Sequence, residues 1–135
     1  MSIFISQMNN ILSKSVLFIS DDPVSIKTAQ KFFVRKKDCK VYWLKHSDEI
    51  TPALFVEKEF DMIVVDSSFQ GGKGYEIFEK INIIDDRLPI VLIVNSYSDI
   101  SFMHSCDIVP NTFLVSPITA SAMADVFQKF VESNV

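Results

Sequence analysis

The chain has 135 residues, of which 48% are apolar, and a formal net charge of −4. That length suits one domain around one core, and the apolar content with few Gly and Pro excludes a disordered or fibrous chain. The Lys and Arg residues are scattered, leaving no electrostatic footprint for nucleic acid, and no apolar stretch approaches the roughly 18 residues of a membrane span. The first residues lack the layout of a secretory signal, so a cytoplasmic location is expected. There Cys39 and Cys106 are expected as buried free thiols. No CxxC pair or His/Cys cluster at zinc spacing occurs, and His46 and His104 read as surface or helix-end residues. The one basic run, Arg35-Lys36-Lys37, reads as a solvated helix end.

Residues 1–14 form an extension in which Ile5, Met8, Ile11 and Leu12 share a helical face; a frayed tail and an added helix used in self-association are its two readings. One domain is expected over 15–135. Val16 to Ile19 is a continuous apolar run, the mark of a buried strand, and Ser20-Asp21-Asp22-Pro23 starts a helix that reaches about residue 36 with Ile26, Ala29 and Phe33 on one face. Lys40 to Leu44 is a second strand. Thr51-Pro52 suits a helix N-terminus, with Ser47 as an alternative start. Asp61 to Asp66 is a strand that runs into a carboxylate. Gly71, Gly72 and Gly74 make a loop, and a helix from about Tyr75 carries Ile77, Phe78 and Ile81. Pro89 to Val94 is a very apolar strand. Residues 97–107 predict a short, weakly amphipathic helix that leaves some of Ile100, Phe102 and Met103 exposed. Phe113 to Val115 is a last strand, ended by Ser116-Pro117, and a helix over about 119–132 turns Met123, Val126, Phe127 and Phe130 inward.

Alternating short strands and helices, with near-continuous apolar strands, predict a doubly wound α/β sandwich around a five-stranded parallel sheet. Ligands of such sheets sit at the carboxyl ends of the strands. The first strand delivers Ser20, Asp21 and Asp22 there, and the third delivers Asp66. Converging carboxylates repel one another, a situation that a hard cation such as Mg²⁺ relieves. The plainer role of Asp21 and Asp22 is to cap the helix that follows.

The order of elements and the residues at five strand ends resemble the response-regulator receiver domain, of the CheY-like, flavodoxin-like kind, over roughly residues 15–132. Asp61 to Asp66 resembles the family's phospho-acceptor strand. Gly74 falls eight residues beyond Asp66, where the family carries a glycine; Pro89 opens the fourth strand; Phe113-Leu114-Val115-Ser116-Pro117 resembles the fifth strand and its terminal Lys-Pro. The resemblance implies strand order 2-1-3-4-5, with Asp66 as acceptor and Mg²⁺ held by Asp21, Asp22, Asp66 and the backbone of Ser68. It also implies a histidine kinase or downstream regulator as partner.

The sequence departs from the family at the switch positions. Ser116 stands where the lysine belongs, Val94 where a hydroxyl belongs, and Phe113 keeps the aromatic without its hydroxyl. With Pro23 setting the register, Asp21 matches the main metal ligand and Ser20 replaces its acidic neighbour; with the carboxylates setting it, Asp21 and Asp22 are the pair. The first register is favoured because it also aligns the strand. Asn95, Ser96 and Ser68 are the nearby polar groups available to stand in for the missing ones. These departures predict a stand-alone pseudo-receiver that works by protein contact, with weak Mg²⁺ binding and impaired or absent phosphorylation. The alternative is a working single-domain regulator phosphorylated on Asp66. A homodimer through residues 97–132 or 1–14 is also expected. A dehalogenase-type phosphatase is disfavoured, since Ser68 stands where its second aspartate would be. Asp21-Asp22-Pro23 would repel the phosphate of a flavin, and Gly71-Gly72-Lys73-Gly74 lacks the spacing of a phosphate-binding loop.

Overall fold

The computed structural model describes residues 13–134; the expectations for the apolar positions of segment 1–12 lie outside them. Five strands form one parallel sheet, β1 (Lys14–Ile19), β2 (Cys39–Trp43), β3 (Met62–Asp66), β4 (Ile90–Val94) and β5 (Thr112–Val115), in the order β2-β1-β3-β4-β5. This is the expected topology. The connecting helices are α1 (Pro23–Phe33), α2 (Pro52–Lys58), α3 (Gly74–Ile84), α4 (Tyr97–Ser105) and α5 (Ala120–Phe130). The first strand begins at Lys14, one residue before the boundary read from the sequence.

The two-residue period of the strands explains the two layers. Leu17, Ile19, Ile63, Val65, Ile90, Leu92 and Val94 face one side, with Ile77, Phe78 and Ile81 of α3 and Met103 of α4. Val16, Phe18, Met62, Val64, Val91 and Ile93 face the other, with Ala29 and Phe33 of α1 and Met123, Val126 and Phe127 of α5. Residues 62–66 and 90–94 are buried throughout, as a strand covered on both faces requires. Each apolar side chain of that kind contributes about 1.5–3 kcal/mol relative to exposure. β2, at an edge, is only partly buried.

Several boundaries differ from the sequence reading, each for a local reason. α1 stops at Phe33 rather than near residue 36, so Arg35-Lys36-Lys37 lies in the turn beyond it. Ser47–Glu49 is a separate 3₁₀ turn, closed by the Glu49 carboxylate accepting from the backbone N–H groups of Lys45 and His46, and α2 begins at Pro52. Asp61 precedes β3; its carboxylate accepts from the N–H of Ser15 at 2.8 Å. Met103 is fully buried while Phe102 is exposed, so α4 keeps some outward apolar surface, as expected. Cys39 is half-buried and Cys106 exposed; both are free, and the expectation of two buried thiols fails for Cys106, which follows the last turn of α4. No helix of the described residues is long and apolar enough to cross a membrane.

Candidate functional site

The carboxyl ends of β1 and β3 are adjacent because the two strands pair in parallel from Val16↔Met62 to Ile19↔Val65. One residue further on, Ser20 and Asp66 meet. Asp66 is 2% exposed, and its Oδ2 accepts from the Ser20 hydroxyl at 2.9 Å. Its Oδ1 accepts from the Ser68 hydroxyl at 2.7 Å and from the Ser68 N–H at 3.0 Å. A buried carboxylate demands such donors, since an unsatisfied one would be costly. Ser20 Oγ in turn accepts from the N–H of Asp22 at 3.1 Å, which ties Asp66 to the start of α1.

The two neighbouring aspartates divide. Asp22 is the N-cap of α1: its Oδ2 accepts from the N–H of Ser25 at 3.2 Å and from its hydroxyl at 2.8 Å. Asp21 is exposed and accepts from the N–H of Gln70 at 2.9 Å, bridging to the loop after β3. Ser20 thus lies beside Asp66, and Asp22 in the helix cap.

Gly74 explains how that loop is held. A Cβ there would lie 2.2 Å from the Asp66 carbonyl oxygen and 2.5 Å from Ser67 Cα, so α3 starts in direct contact with the end of β3. The loop passes through left-handed Gln70 (φ 48°) and Gly71 (φ 74°), and the Ser68 carbonyl accepts from the N–H groups of Gly71 and Gly72, both at 3.2 Å. The sequence reading had that carbonyl as a metal ligand; here it closes a turn.

At the other strand ends, Val94 is fully buried and points into the layer shared with α3 and α4. Ser96 does not continue the strand, so it does not face the way Val94 does. It is the N-cap of α4, where Asp99 accepts from the N–H groups of Asn95 and Ser96, both at 3.2 Å. Ser116 extends the β4–β5 pairing by donating its N–H to the Val94 carbonyl at 2.7 Å, and no hydrogen bond joins it to Asp66. The Ser116–Pro117 peptide is cis. Phe113 is half-buried, its ring 6.2 Å from that of His104 on α4. Among the described residues the ion pairs are Lys36–Glu132 and Arg87–Asp85, neither at Asp66.

The sequence reading named Ser20 and Ser68 at this end of the sheet but did not foresee that both hydroxyls bond Asp66. The available signal was a serine ending β1 and another two residues past the aspartate. It also missed Tyr75, half-buried in the first turn of α3 with its ring 6.2 Å from that of Phe102. Burial and the Asp99 carboxylate raise the pKa of its phenol.

A buried aspartate at the end of the third strand of a 2-1-3-4-5 sheet, beside the end of the first strand, defines a receiver-type α/β signalling domain. The chain belongs to the response regulator receiver domain family, whose model matches residues 16–128. Solved structures with this fold include the receiver domain of a sensor histidine kinase from Pseudomonas aeruginosa, solved with magnesium in its active-site cleft. It is 16% identical, with a TM-score of 0.72, over 89% of this chain and 98% of that one. The Vibrio cholerae chemotaxis protein CheY4 is 17% identical, with a TM-score of 0.69, over 88% and 99%. A CheY-like receiver domain protein from Methanospirillum hungatei is 13% identical, with a TM-score of 0.72, over 90% and 95%. No curated protein sequence matches.

Proposed function

We propose that this receiver domain acts by contact with a protein partner, a histidine kinase or a downstream regulator, and that its phosphorylation switch is impaired or absent. The observation that carries the reading is the closure of Asp66 by two neutral hydroxyls, Ser20 and Ser68, with no cation beside it among the described residues. Val94 and Ser116, at the strand ends where the family places a hydroxyl and a lysine, supply neither. The contact surface proposed is residues 97–132, where Tyr97 is 76% and Phe102 56% exposed on α4. Self-association through that region, or through segment 1–14, and a cytoplasmic location belong to the same proposal. A working regulator phosphorylated on Asp66 is the second reading, favoured by the retained acceptor-like aspartate and by Gly74. The test is to capture partners from the native cell with the domain and with its Asp66→Ala variant. The same partners at the same strength are expected from both; loss of a partner from the variant would support the second reading.

Mg²⁺ suits this donor set only in part. Asp21 and Asp66 lie at neighbouring strand ends, but Asp22 is used in the helix cap and the Ser68 carbonyl in a turn. Among the described residues no three His, Cys, Asp or Glu side chains gather into a metal site. Asp66 accepts three hydrogen bonds from Ser20 and Ser68, which leaves it little further acceptor capacity for an ion, and water would complete the octahedron. A bound ion would neutralise charge around the acceptor. Amide shifts at Asp21, Asp66 and Ser68 are therefore expected to saturate only at about 1 mM Mg²⁺ or above, the range of sparse oxygen sites. Tight saturation that survives Asp66→Ala would place the metal elsewhere.

A further inference from the structure

The amino ends of the strands, opposite Asp66, carry a second concavity. A cleft of about 460 Å³ is lined by Lys14 at the start of β1, Arg35, Lys36, Lys37 and Asp38 in the turn after α1, Cys39 at the start of β2, and Phe127 and Glu132. Its size is in the range of small-ligand pockets, roughly 300–1,000 Å³. The cations come from two chain segments that the β1–β2 pairing joins through Lys14↔Cys39.

Lys36 is part of the wall. Its Nζ lies 3.3 Å from Glu132 Oε1 and 5.4 and 5.1 Å from the ring centroids of Phe32 and Phe127. That ion pair neutralises Glu132. Lys14, Arg35 and Lys37 have no ion-pair partner among the described residues. Among the described residues four cations line the cleft with two carboxylates, Asp38 and Glu132, and the Asp61 carboxylate lies near Cys39, which leaves an excess of one positive charge in a chain whose net charge is −4. The carboxyl end of α1 also points here and would repel an anion, but it amounts to about half a charge and is outweighed. Cys39 adds no negative charge, because burial and the nearby Asp61 push its thiol up to about 11.

We propose that this cleft binds a small oxyanion ligand of the phosphate-ester or diphosphate class, with Arg35, Lys37 and Lys14 on its anionic group and Phe127 as an apolar wall. Arg35 supplies the forked donor that suits an oxyanion, and the two lysines add point charges. The site is independent of the reading of Asp66, since it lies at the other end of the sheet.

The test is an amide NMR titration of the full chain with pyrophosphate, ADP and adenosine separately, at about 0.15 M salt, where exposed charges are screened beyond about 8 Å. Saturating shifts confined to Lys14, residues 35–39, Phe127 and Glu132 are expected with pyrophosphate or ADP, the tighter of the two identifying the source, and none with adenosine. The Arg35→Ala/Lys37→Ala variant is expected to bind at least about tenfold more weakly with its spectrum elsewhere intact, and Lys45→Ala, an exposed lysine outside the cleft, to bind as the parent does. Shifts that track ionic strength without saturating, equal loss in Lys45→Ala, or adenosine binding as tightly as ADP would each overturn the proposal.

Discussion

Incubation with acetyl phosphate or beryllofluoride in the presence of Mg²⁺ is expected to leave the amide signals of Phe113 and of residues 97–107 unchanged, whether or not Asp66 gains mass. A phosphoryl group on Asp66 brings close to two negative charges to a buried carboxylate whose Oδ2 now accepts from Ser20 and whose Oδ1 accepts from Ser68. Neither hydroxyl neutralises that charge. Ser116 is too short and lacks the charge of a lysine, and Val94 offers no hydrogen-bond donor. A missing charge-assisted hydrogen bond costs about 1.5–3 kcal/mol and a neutral one about 1 kcal/mol. Together they weaken the coupling between modification and conformation by roughly a hundredfold or more. Intact mass and amide spectra recorded on the same sample check this. Stoichiometric modification of Asp66, with shifts spreading to Phe113 and α4, would make the protein an ordinary switch and end the pseudo-receiver reading. Ser116→Lys combined with Val94→Thr is expected to restore part of the response. Val94 is fully buried among apolar side chains, so the new hydroxyl costs about 1–3 kcal/mol until it finds a partner. The double variant is therefore first checked for its native spectrum.

Gly74→Ala is expected to destabilise the fold by about 3 kcal/mol or more, lowering the melting midpoint by roughly 10 °C. The added Cβ would meet the Asp66 carbonyl oxygen at 2.2 Å, Ser67 Cα at 2.5 Å and the Ser67 carbonyl carbon at 2.8 Å, all backbone atoms that cannot swing aside. Either α3 lifts off the sheet or the end of β3 shifts, and both disturb Ser68 and its bonds to Asp66. Gly71→Ala is the control. Gly71 has φ 74° but open space around its would-be Cβ, so the cost there is only the left-handed backbone, about 1–2 kcal/mol. The two glycines are thus needed for different reasons, one for contact and one for conformation. Thermal unfolding of both variants beside the parent decides it. Equal, small losses in the two would mean that α3 does not press on β3 as described.

Much of the fold was legible because the signals are local. The continuous apolar runs at Val16–Ile19 and Pro89–Val94 marked strands covered on both faces, and strand burial bears this out. The inward faces of α3 and α5 followed from helical spacing, so Ile77, Phe78, Ile81, Met123, Val126 and Phe127 are buried as expected. Helix ends were less legible, because the last turns compete with the first bonds of the next loop; α1 therefore stops at Phe33 and frees the basic run. The weak amphipathicity of α4 could not say which of its apolar residues turn inward; packing on the sheet selects Met103 and leaves Phe102 out.

By itself the sequence determined the class of fold, the strand order through its resemblance, and the position of Asp66 at a strand end. It also determined that position 116 carries no cation and position 94 no hydroxyl, because a residue type is a chemical fact before any folding. Only the tertiary structure decided what those residues do together. The parallel pairing of β1 and β3 places the Ser20 hydroxyl on Asp66, the start of α1 claims Asp22, and the start of α4 claims Ser96. The same pairing of distant segments gathers Lys14 with Arg35, Lys36 and Lys37 into one cleft. Hydrogen-bond partners and charge clusters of this kind depend on distances between residues far apart in the chain, and local pattern carries no record of them.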